Sequence, residues 1–156
     1  EVYDAGMAVR REVLGSAHVD RANASIDEIT RDFQEFITRY AWGAIWTRPG
    51  LDRITRSAIT LTALIAGGFE DELAMHLRSA LRNGMTREQV VEVLLQSAIY
   101  CSVPSANTAF KIAAKVLAEE DSDASGRNGD SQPEPQNQTQ SQAQTNPAVI
   151  PTKENR

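Results

Sequence analysis

Apolar residues recur every three or four positions through the first 120 residues of this chain, and no segment alternates apolar and polar residues convincingly. Because an α-helix has about 3.6 residues per turn, this spacing gathers apolar side chains on one helix face, whereas a strand needs a period of two. The pattern predicts an all-α domain over residues 1–120. Its helices are expected at residues 3–13, 27–46, 53–66, 70–83, 87–101 and 104–119, about six in all.

Short polar motifs predict where these helices begin and end. Ser25 to Glu28 and Thr86 to Gln89 resemble capping boxes, whose side chains bind the free backbone groups of a helix's first turn. Asp52 is expected to cap the helix at 53–66 in the same way, and Gly67-Gly68 to end it. These motifs agree with the periodicity, so we expect the boundaries to follow them.

Two segments depart from the helical pattern. Residues 16–24 are polar and are predicted to form a surface loop that exposes His18. After Asp121 the chain holds no aromatic residue and consists mainly of Gln, Asn, Ser, Thr and Pro. Such a segment buries too little apolar surface to offset its ordering entropy, so residues 121–156 are predicted to form a disordered polar tail. We interpret that tail as a segment without function of its own.

Cysteine count and charge narrow the classes of protein that the chain can belong to. Cys101 is the single cysteine, which excludes an intrachain disulfide or a Cys-rich metal site and fits a reducing compartment such as the cytoplasm. A net charge of -5 gives no electrostatic reason to expect nucleic acid or an anionic membrane as a partner. A domain of this length buries only about two-thirds of its surface, so homo-oligomerisation is expected to bury more.

The helix predicted at residues 70–83 carries a candidate catalytic pair. Glu72 and His76 are four positions apart and therefore share a helix face. A carboxylate in that position is expected to hydrogen-bond the imidazole, raise its pKa and leave the second nitrogen for a ligand, as a proton donor near neutral pH requires. The same spacing also occurs in solvated pairs on exposed helices, so spacing alone does not choose between the two interpretations.

Large rings and arginines surround the end of the helix predicted at 27–46. Tyr40, Trp42 and Trp46 lie close before Arg48 in the sequence. Such a cluster can wall a pocket for a planar anion, or it can anchor the core or a subunit interface. Arg56 stands in the first turn of the next helix, where its planar guanidinium suits a carboxylate.

Five stretches of the chain, in this order, resemble the 4-carboxymuconolactone decarboxylase family. They are Tyr40 to Ser57, Glu72 to Arg78, Asn83 to Thr86, Val93 to Cys101 and Pro104 to Phe110. The resemblance covers about residues 3–119. It implies the helical fold shared with alkylhydroperoxidase D, assembled as a trimer or hexamer. It also implies conversion of 4-carboxymuconolactone to 3-oxoadipate enol-lactone and carbon dioxide in the protocatechuate branch of the β-ketoadipate pathway.

The wider superfamily includes a peroxidase branch with the pattern Cys-x-x-Cys-x-x-x-His. With His76 placed on the histidine of that pattern, Phe69 and Glu72 stand where the two cysteines would be. Because a disulfide mechanism needs two neighbouring thiols, Cys101 alone cannot support it. A redox enzyme of the same fold and a non-catalytic helical oligomer remain the alternatives to a decarboxylase.

The implied chemistry assigns a role to each candidate residue. Loss of carbon dioxide leaves electrons that flow through the ring double bond to the lactone carbonyl, so no cofactor or metal is expected. The resulting dienolate must then be protonated at its α-carbon. We expect His76 as the proton donor oriented by Glu72, Arg48 and Arg56 as carboxylate ligands, Trp46 or Phe69 as the wall at the leaving group, and Tyr100 as a donor to the enolate oxygen.

Overall fold

The computed structural model describes residues 1–128, and every regular element in that range is a helix, which confirms the all-α prediction. In chain order the elements are α1 (Val2–Leu14), α2 (Ser16–Ala24), α3 (Arg31–Ile37), a π-helix π1 (Thr38–Trp46), α4 (Arg53–Gly67), α5 (Glu70–Arg82), α6 (Arg87–Tyr100) and α7 (Val103–Asn128). None of these helices is both long enough and apolar enough to cross a bilayer.

The caps predicted for α4 and α6 are confirmed. Asp52 accepts the backbone N–H of Thr55 at 2.7 Å. Thr86 and Gln89 form a reciprocal capping box, with the Thr86 N–H donating to Gln89 Oε1 at 2.9 Å. Helix α4 ends at Gly68, whose φ of 73° lies in the left-handed region that glycine adopts without strain. Local hydrogen bonding therefore decides where these elements begin and end.

The loop predicted at residues 16–24 is wrong, because Ser16–Ala24 forms α2. Val19 is fully buried there and packs in one cluster with Val13 and Leu14 of α1. A single apolar anchor is enough to fix this short helix against α1 but leaves almost no periodic signal in the sequence. His18 is consequently half-buried rather than exposed.

The single helix predicted at 27–46 is interrupted, and the capping box at Ser25 is wrong. A turn occupies residues 28–30 and is followed by α3 and then π1. Asp27 closes that turn by accepting the N–H of Thr30 at 2.8 Å, whereas the Ser25 hydroxyl donates to a carbonyl of α2. A side chain that hydrogen-bonds its own backbone favours a turn over a helix, which the periodicity could not reveal.

Helix α7 extends past the predicted end at residue 119, so the disordered assignment is wrong for residues 121–128. Arg87 donates to the carbonyl of Leu117 at 3.2 Å and pairs with the carboxylate of Asp121. These contacts tie the extended part of α7 to the start of α6. The rest of the predicted tail, residues 129–156, lies outside the described residues.

The core consists of two apolar clusters that meet at α5. The larger cluster joins helices α4, α5, α6 and α7, and α5 contributes Leu73 and Leu77 to it. The smaller cluster joins α1, α2 and π1, and Met75 of α5 packs against it. His76 therefore occupies the stretch of α5 that runs between the two clusters.

Close contact of α1 with π1 positions the aromatic residues. A Cβ atom on Gly6 would lie 2.2 Å from the carbonyl oxygen of Thr38, so only glycine fits. Arg10 of α1 reaches across the same contact and donates to Thr38 Oγ1 at 3.2 Å and Gln34 Oε1 at 3.0 Å. This contact holds the π-helix, and the tryptophans on it, against the smaller cluster.

Candidate active site

His76 lies half-buried on α5 and makes no hydrogen bond to another described residue. Burial lowers the pKa of His76 to about 4, Glu72 acts in the opposite direction, and His18 lowers it further. The predicted rise in pKa is therefore wrong in direction. Glu72 is exposed, so water screens its carboxylate and its attraction for the imidazolium does not outweigh desolvation.

The low pKa sets what His76 does in the free protein. At neutral pH the ring is uncharged, with one nitrogen that donates and one that accepts. An anion bound beside the ring would favour the charged imidazolium and raise its pKa. His76 is thus equipped to take up a proton when an anionic ligand binds and to release it when negative charge is lost.

A cavity of about 190 Å³ brings together residues of π1 and α4 that the sequence analysis had selected. Trp46 comes from the end of π1 and Arg56 from the first turn of α4. Arg56 Nη2 donates to the carbonyl of Arg48 at 2.9 Å, while Arg56 Nε is buried and has no hydrogen-bond partner among the described residues. The cavity is lined by Ile45, Trp46, Leu51, Arg56, Ile59 and Thr60. We call it the Trp46–Arg56 cavity; it combines an apolar wall with a guanidinium that retains hydrogen-bonding capacity.

The aromatic cluster links this cavity to helix α5, which carries His76. The Trp42 and Trp46 rings lie 5.3 Å apart between centroids. Trp42 is buried in the smaller core cluster, and both Trp46 and Met75 pack against that cluster. Met75 immediately precedes His76, so the segment that carries the imidazole is anchored to the same group of side chains as the cavity wall. The two tryptophans therefore differ in role: Trp42 is an anchor of the core, and Trp46 is a wall of the cavity.

Five predicted site residues do not line the Trp46–Arg56 cavity in the described protomer: Arg48, Phe69, Glu72, His76 and Tyr100. The guanidinium of Arg48 is exposed, and the residue reaches Arg56 only through its backbone carbonyl. Phe69 lines a different cavity, of about 240 Å³, between α4, α5 and α7. Tyr100 is 78% exposed at the end of α6. Phe69 and Tyr100 thus do not line the Trp46–Arg56 cavity in the described protomer.

Two residues near the candidate site were not predicted from the sequence. Thr60 lines the Trp46–Arg56 cavity, and its position one turn after Arg56 could have revealed it, because such residues share a helix face. His18 lies close enough to His76 to lower its pKa. No sequence signal could have placed these two histidines near each other, because α2 was not recognised as a helix.

Comparisons with known proteins point to one family. Residues 31–115 match the model of the Carboxymuconolactone decarboxylase family. The chain is 44% identical over 117 residues to 4-carboxymuconolactone decarboxylase of Acinetobacter baylyi, which covers 75% of this chain and 87% of that protein. It is 41% identical over 116 residues to nitrosuccinic acid decarboxylase of Metarhizium robertsii, covering 74% and 81%.

A third relative matches a shorter part of the chain. It is a 4-carboxymuconolactone decarboxylase of Pseudomonas putida, 58% identical over 41 residues, which cover 26% of this chain and 85% of that sequence. The family match spans more than half of the chain, and the Acinetobacter and Metarhizium proteins match across most of their own lengths. This chain therefore belongs to the carboxymuconolactone decarboxylase family.

Proposed function

We propose that the protein is a carboxy-lyase that converts 4-carboxymuconolactone to 3-oxoadipate enol-lactone and carbon dioxide, with His76 as the proton donor. The reaction belongs to the protocatechuate branch of the β-ketoadipate pathway, and we place it in the cytoplasm. The 44% identity to the Acinetobacter enzyme supports the reaction. The structural observation that carries the proposal is the Trp46–Arg56 cavity, in which Arg56 keeps an unpaired Nε–H.

The first step is binding of a substrate that carries two carboxylates. Arg56 holds the carboxylate of the acetate arm, since charge-assisted hydrogen bonds contribute about 1.5–3 kcal/mol each. Arg48 adds positive charge beside it. The departing carboxylate lies against the indole of Trp46, because an apolar wall stabilises neutral carbon dioxide better than the charged ground state. The clamp therefore acts on the part of the substrate that does not react.

The second step is decarboxylation followed by protonation. As the carbon–carbon bond breaks, its electron pair moves through the ring double bond onto the lactone carbonyl and forms a dienolate. His76, protonated when the dianion binds, transfers its proton to the α-carbon, and the electrons return to give the enol-lactone. Glu72 favours the protonated ring in this step. A positioned general acid accelerates such a step by roughly 100- to 10,000-fold.

A homo-oligomer, trimer or hexamer, is part of the proposal. Many large apolar side chains are exposed in the protomer, among them Ile29, Phe33, Ile99, Tyr100 and Val103. A surface of this kind favours association with further copies, which would cover it. In that assembly Phe69 and Tyr100 remain our candidates for contact with the lactone, as a wall at the leaving group and a donor to the enolate oxygen.

Decarboxylation of nitrosuccinic acid is a second candidate reaction, favoured by the 41% identity to the Metarhizium protein. That acid also carries two carboxylates, and its departing carboxylate also stands next to an electron-accepting group. The same cation, apolar wall and proton donor would serve both reactions. Parallel assays with the two substrates distinguish them through the ratio of kcat/KM values.

The test is turnover of the lactone, followed by ultraviolet absorbance, in the wild type and in His76→Ala. We expect His76→Ala to lose roughly 100- to 10,000-fold in kcat while its helix content and oligomeric mass stay unchanged. Arg39→Gln is the control, since Arg39 is exposed and, in the part of the chain that the structure describes, pairs with Glu35 and the ring of Tyr3. Full activity in His76→Ala would eliminate the proton-donor role.

The remaining alternatives have their own readouts. Peroxidase activity that disappears when Cys101 is alkylated would favour a redox enzyme of the same fold. A folded wild-type oligomer that produces no absorbance change with either substrate would favour a non-catalytic protein.

A further inference from the structure

A third cavity, of about 490 Å³, lies where α2 begins beside one face of α5. Its walls include Leu14, His18, Arg21, Asp71, Met75 and Arg82, and we call it the α2 cavity. The α5 residues among these recur every three or four positions and so share a helix face. His76 is turned about 100° from Met75 on that helix, and the α2 cavity has no residue in common with the Trp46–Arg56 cavity.

Arg21 and Arg82 line the α2 cavity, and neither has a carboxylate partner among the described residues. The positive charges of Arg21, Arg10 and Arg82 add to burial in lowering the pKa of His18. Arg21 makes no hydrogen bond or ion pair to a described residue. Arg82 donates only to the backbone carbonyl of Val13, at 3.4 Å. Arg21 and Arg82 therefore lack a carboxylate partner within the described residues.

Two further charged residues line the same cavity and reduce its positive charge only in part. Arg78, also in the wall, is already paired with Glu119 at 2.5 Å. Asp71 supplies the one carboxylate in the wall. The cavity thus has a surplus of positive charge on its α2 side.

Arg10 adds to this surplus from inside the fold. Its side chain is buried, with only 5% exposed, and it donates to the uncharged Thr38 and Gln34. Its Nε makes no hydrogen bond within residues 1–128. A buried cation without an acidic partner is unfavourable by itself, and an anion in a neighbouring cavity would offset its charge.

The backbone at the start of α2 points to the same kind of ligand. Gly15 is the N-cap and provides no side chain to bind the free amides of the first turn. Gly15 also has a φ of 86°, and a Cβ there would meet Arg82 Cζ at 3.0 Å. The guanidinium of Arg82 therefore lies next to the start of α2, where helix amides and a cation can act on one anion.

The size and the apolar walls of the α2 cavity indicate which kind of anion fits it. Leu14 and Met75 line it, and its volume exceeds what a lone inorganic anion would fill. We propose that the α2 cavity binds a small aliphatic dicarboxylate, with its two carboxylates at Arg21 and Arg82 and its carbon spacer against Leu14 and Met75. This binding does not depend on the decarboxylation proposed above.

The two histidines of the chain provide the test. Because His18 and His76 are the only two, an imidazole ¹H–¹³C NMR spectrum of the full chain contains two sets of signals, assigned with His18→Asn. Succinate and inorganic phosphate are titrated separately at constant ionic strength. We expect succinate to shift the His18 signal in a saturable manner and to bind at least tenfold more weakly to Arg82→Gln and Arg21→Gln. Phosphate should bind much more weakly than succinate, and Arg39→Gln should behave as the wild type.

Arg82→Lys keeps the positive charge but lacks the planar guanidinium, so we expect it to bind succinate with intermediate affinity. The test therefore holds even if Arg82→Gln fails to fold. The proposal is overturned if the His18 signal shows no saturable shift, or if both glutamine variants bind succinate as the wild type does. It is also overturned if phosphate binds as tightly as succinate, since the apolar walls would then contribute nothing. A shift of His76 alone that Arg56→Gln abolishes would place succinate in the other cavity and would likewise refute it.

Discussion

The imidazole of His76 is held neutral by burial, and the carboxylate of Glu72 reduces this effect without reversing it. A substrate with two carboxylates would bring negative charge much closer than an exposed glutamate side chain does. Coulomb attraction at short range in a partly dehydrated site is strong enough to move a pKa by more than one unit. Binding and protonation at this residue are therefore expected to occur together.

We predict that an unreactive lactone dicarboxylate binds with proton uptake. At pH 6.5 the free protein carries almost no proton on His76, because its pKa is about 4. The bound anion raises that pKa, so binding should take up a measurable fraction of a proton per site, which grows as the raised pKa approaches pH 6.5. Calorimetry in two buffers with different ionisation enthalpies measures it, and His76→Gln should abolish it. Binding without proton uptake in the wild type would show that His76 is not next to the ligand.

Arg56 allows a second prediction at the level of one side chain. Arg56→Gln should raise KM for the lactone by roughly 10- to 100-fold, because it removes charge-assisted hydrogen bonds of about 1.5–3 kcal/mol. Arg56→Lys should fall between it and the wild type. Arg39→Gln, at the exposed pair with Glu35, is the matched control and should leave KM unchanged. If the Arg56 and Arg39 variants have equal KM values, the carboxylate is bound elsewhere.

The π-helix is the element that distributes the aromatic residues. It places Trp42 in the smaller core cluster and Trp46 at the cavity wall. π-Helical segments often accompany functional sites, where an altered winding changes the direction of side chains. Here the segment is held by close contact with α1 through Gly6, so that this glycine supports the site without touching it.

We predict that Gly6→Ala lowers the free energy of unfolding by about 1–3 kcal/mol, because its methyl group would overlap the backbone of π1. Gly50→Ala is the matched control. A Cβ at Gly50 would have no neighbour within 4 Å, so its effect should be small. Urea unfolding followed by circular dichroism measures both variants. Equal free energies of unfolding for the two variants would show that α1 and π1 can move apart without loss of stability.

At the scale of the whole molecule, one protomer leaves large apolar side chains exposed that an oligomer would bury. Ile99 and Tyr100 are both 78% exposed, next to the exposed Val103 at the start of α7. A charge introduced at an apolar interface is desolvated without a partner and opposes association. The protomer is therefore expected to complete its fold within an assembly.

We predict that light scattering gives a mass of three or six times the 17.1 kDa protomer. Ile99→Asp should lower that mass, because a carboxylate would be buried at the interface. Ala114→Asp provides the control, since Ala114 is exposed on α7 among charged neighbours. A wild-type mass of one protomer would contradict the proposed assembly, and equal masses for both variants would place the interface elsewhere.

The sequence by itself determined the helical class, the boundaries of α4 and α6, and the family to which the chain belongs. These depend on the period of apolar residues and on hydrogen bonds between near neighbours, such as those of Asp52 and Thr86. Such interactions are local and are therefore visible in a short stretch of residues.

Only the tertiary structure decided which distant residues meet. Burial of Val19 against α1 makes α2 a helix, and the ties from Arg87 extend α7 into the polar segment. The direction of the shift in the His76 pKa likewise depends on how far groups from other elements exclude water from the ring. The Trp46–Arg56 cavity is lined by Thr60 but not by Phe69 or Tyr100 for the same reason. Burial and long-range packing depend on how all the helices pack together, and the spacing of residues in the sequence does not encode them.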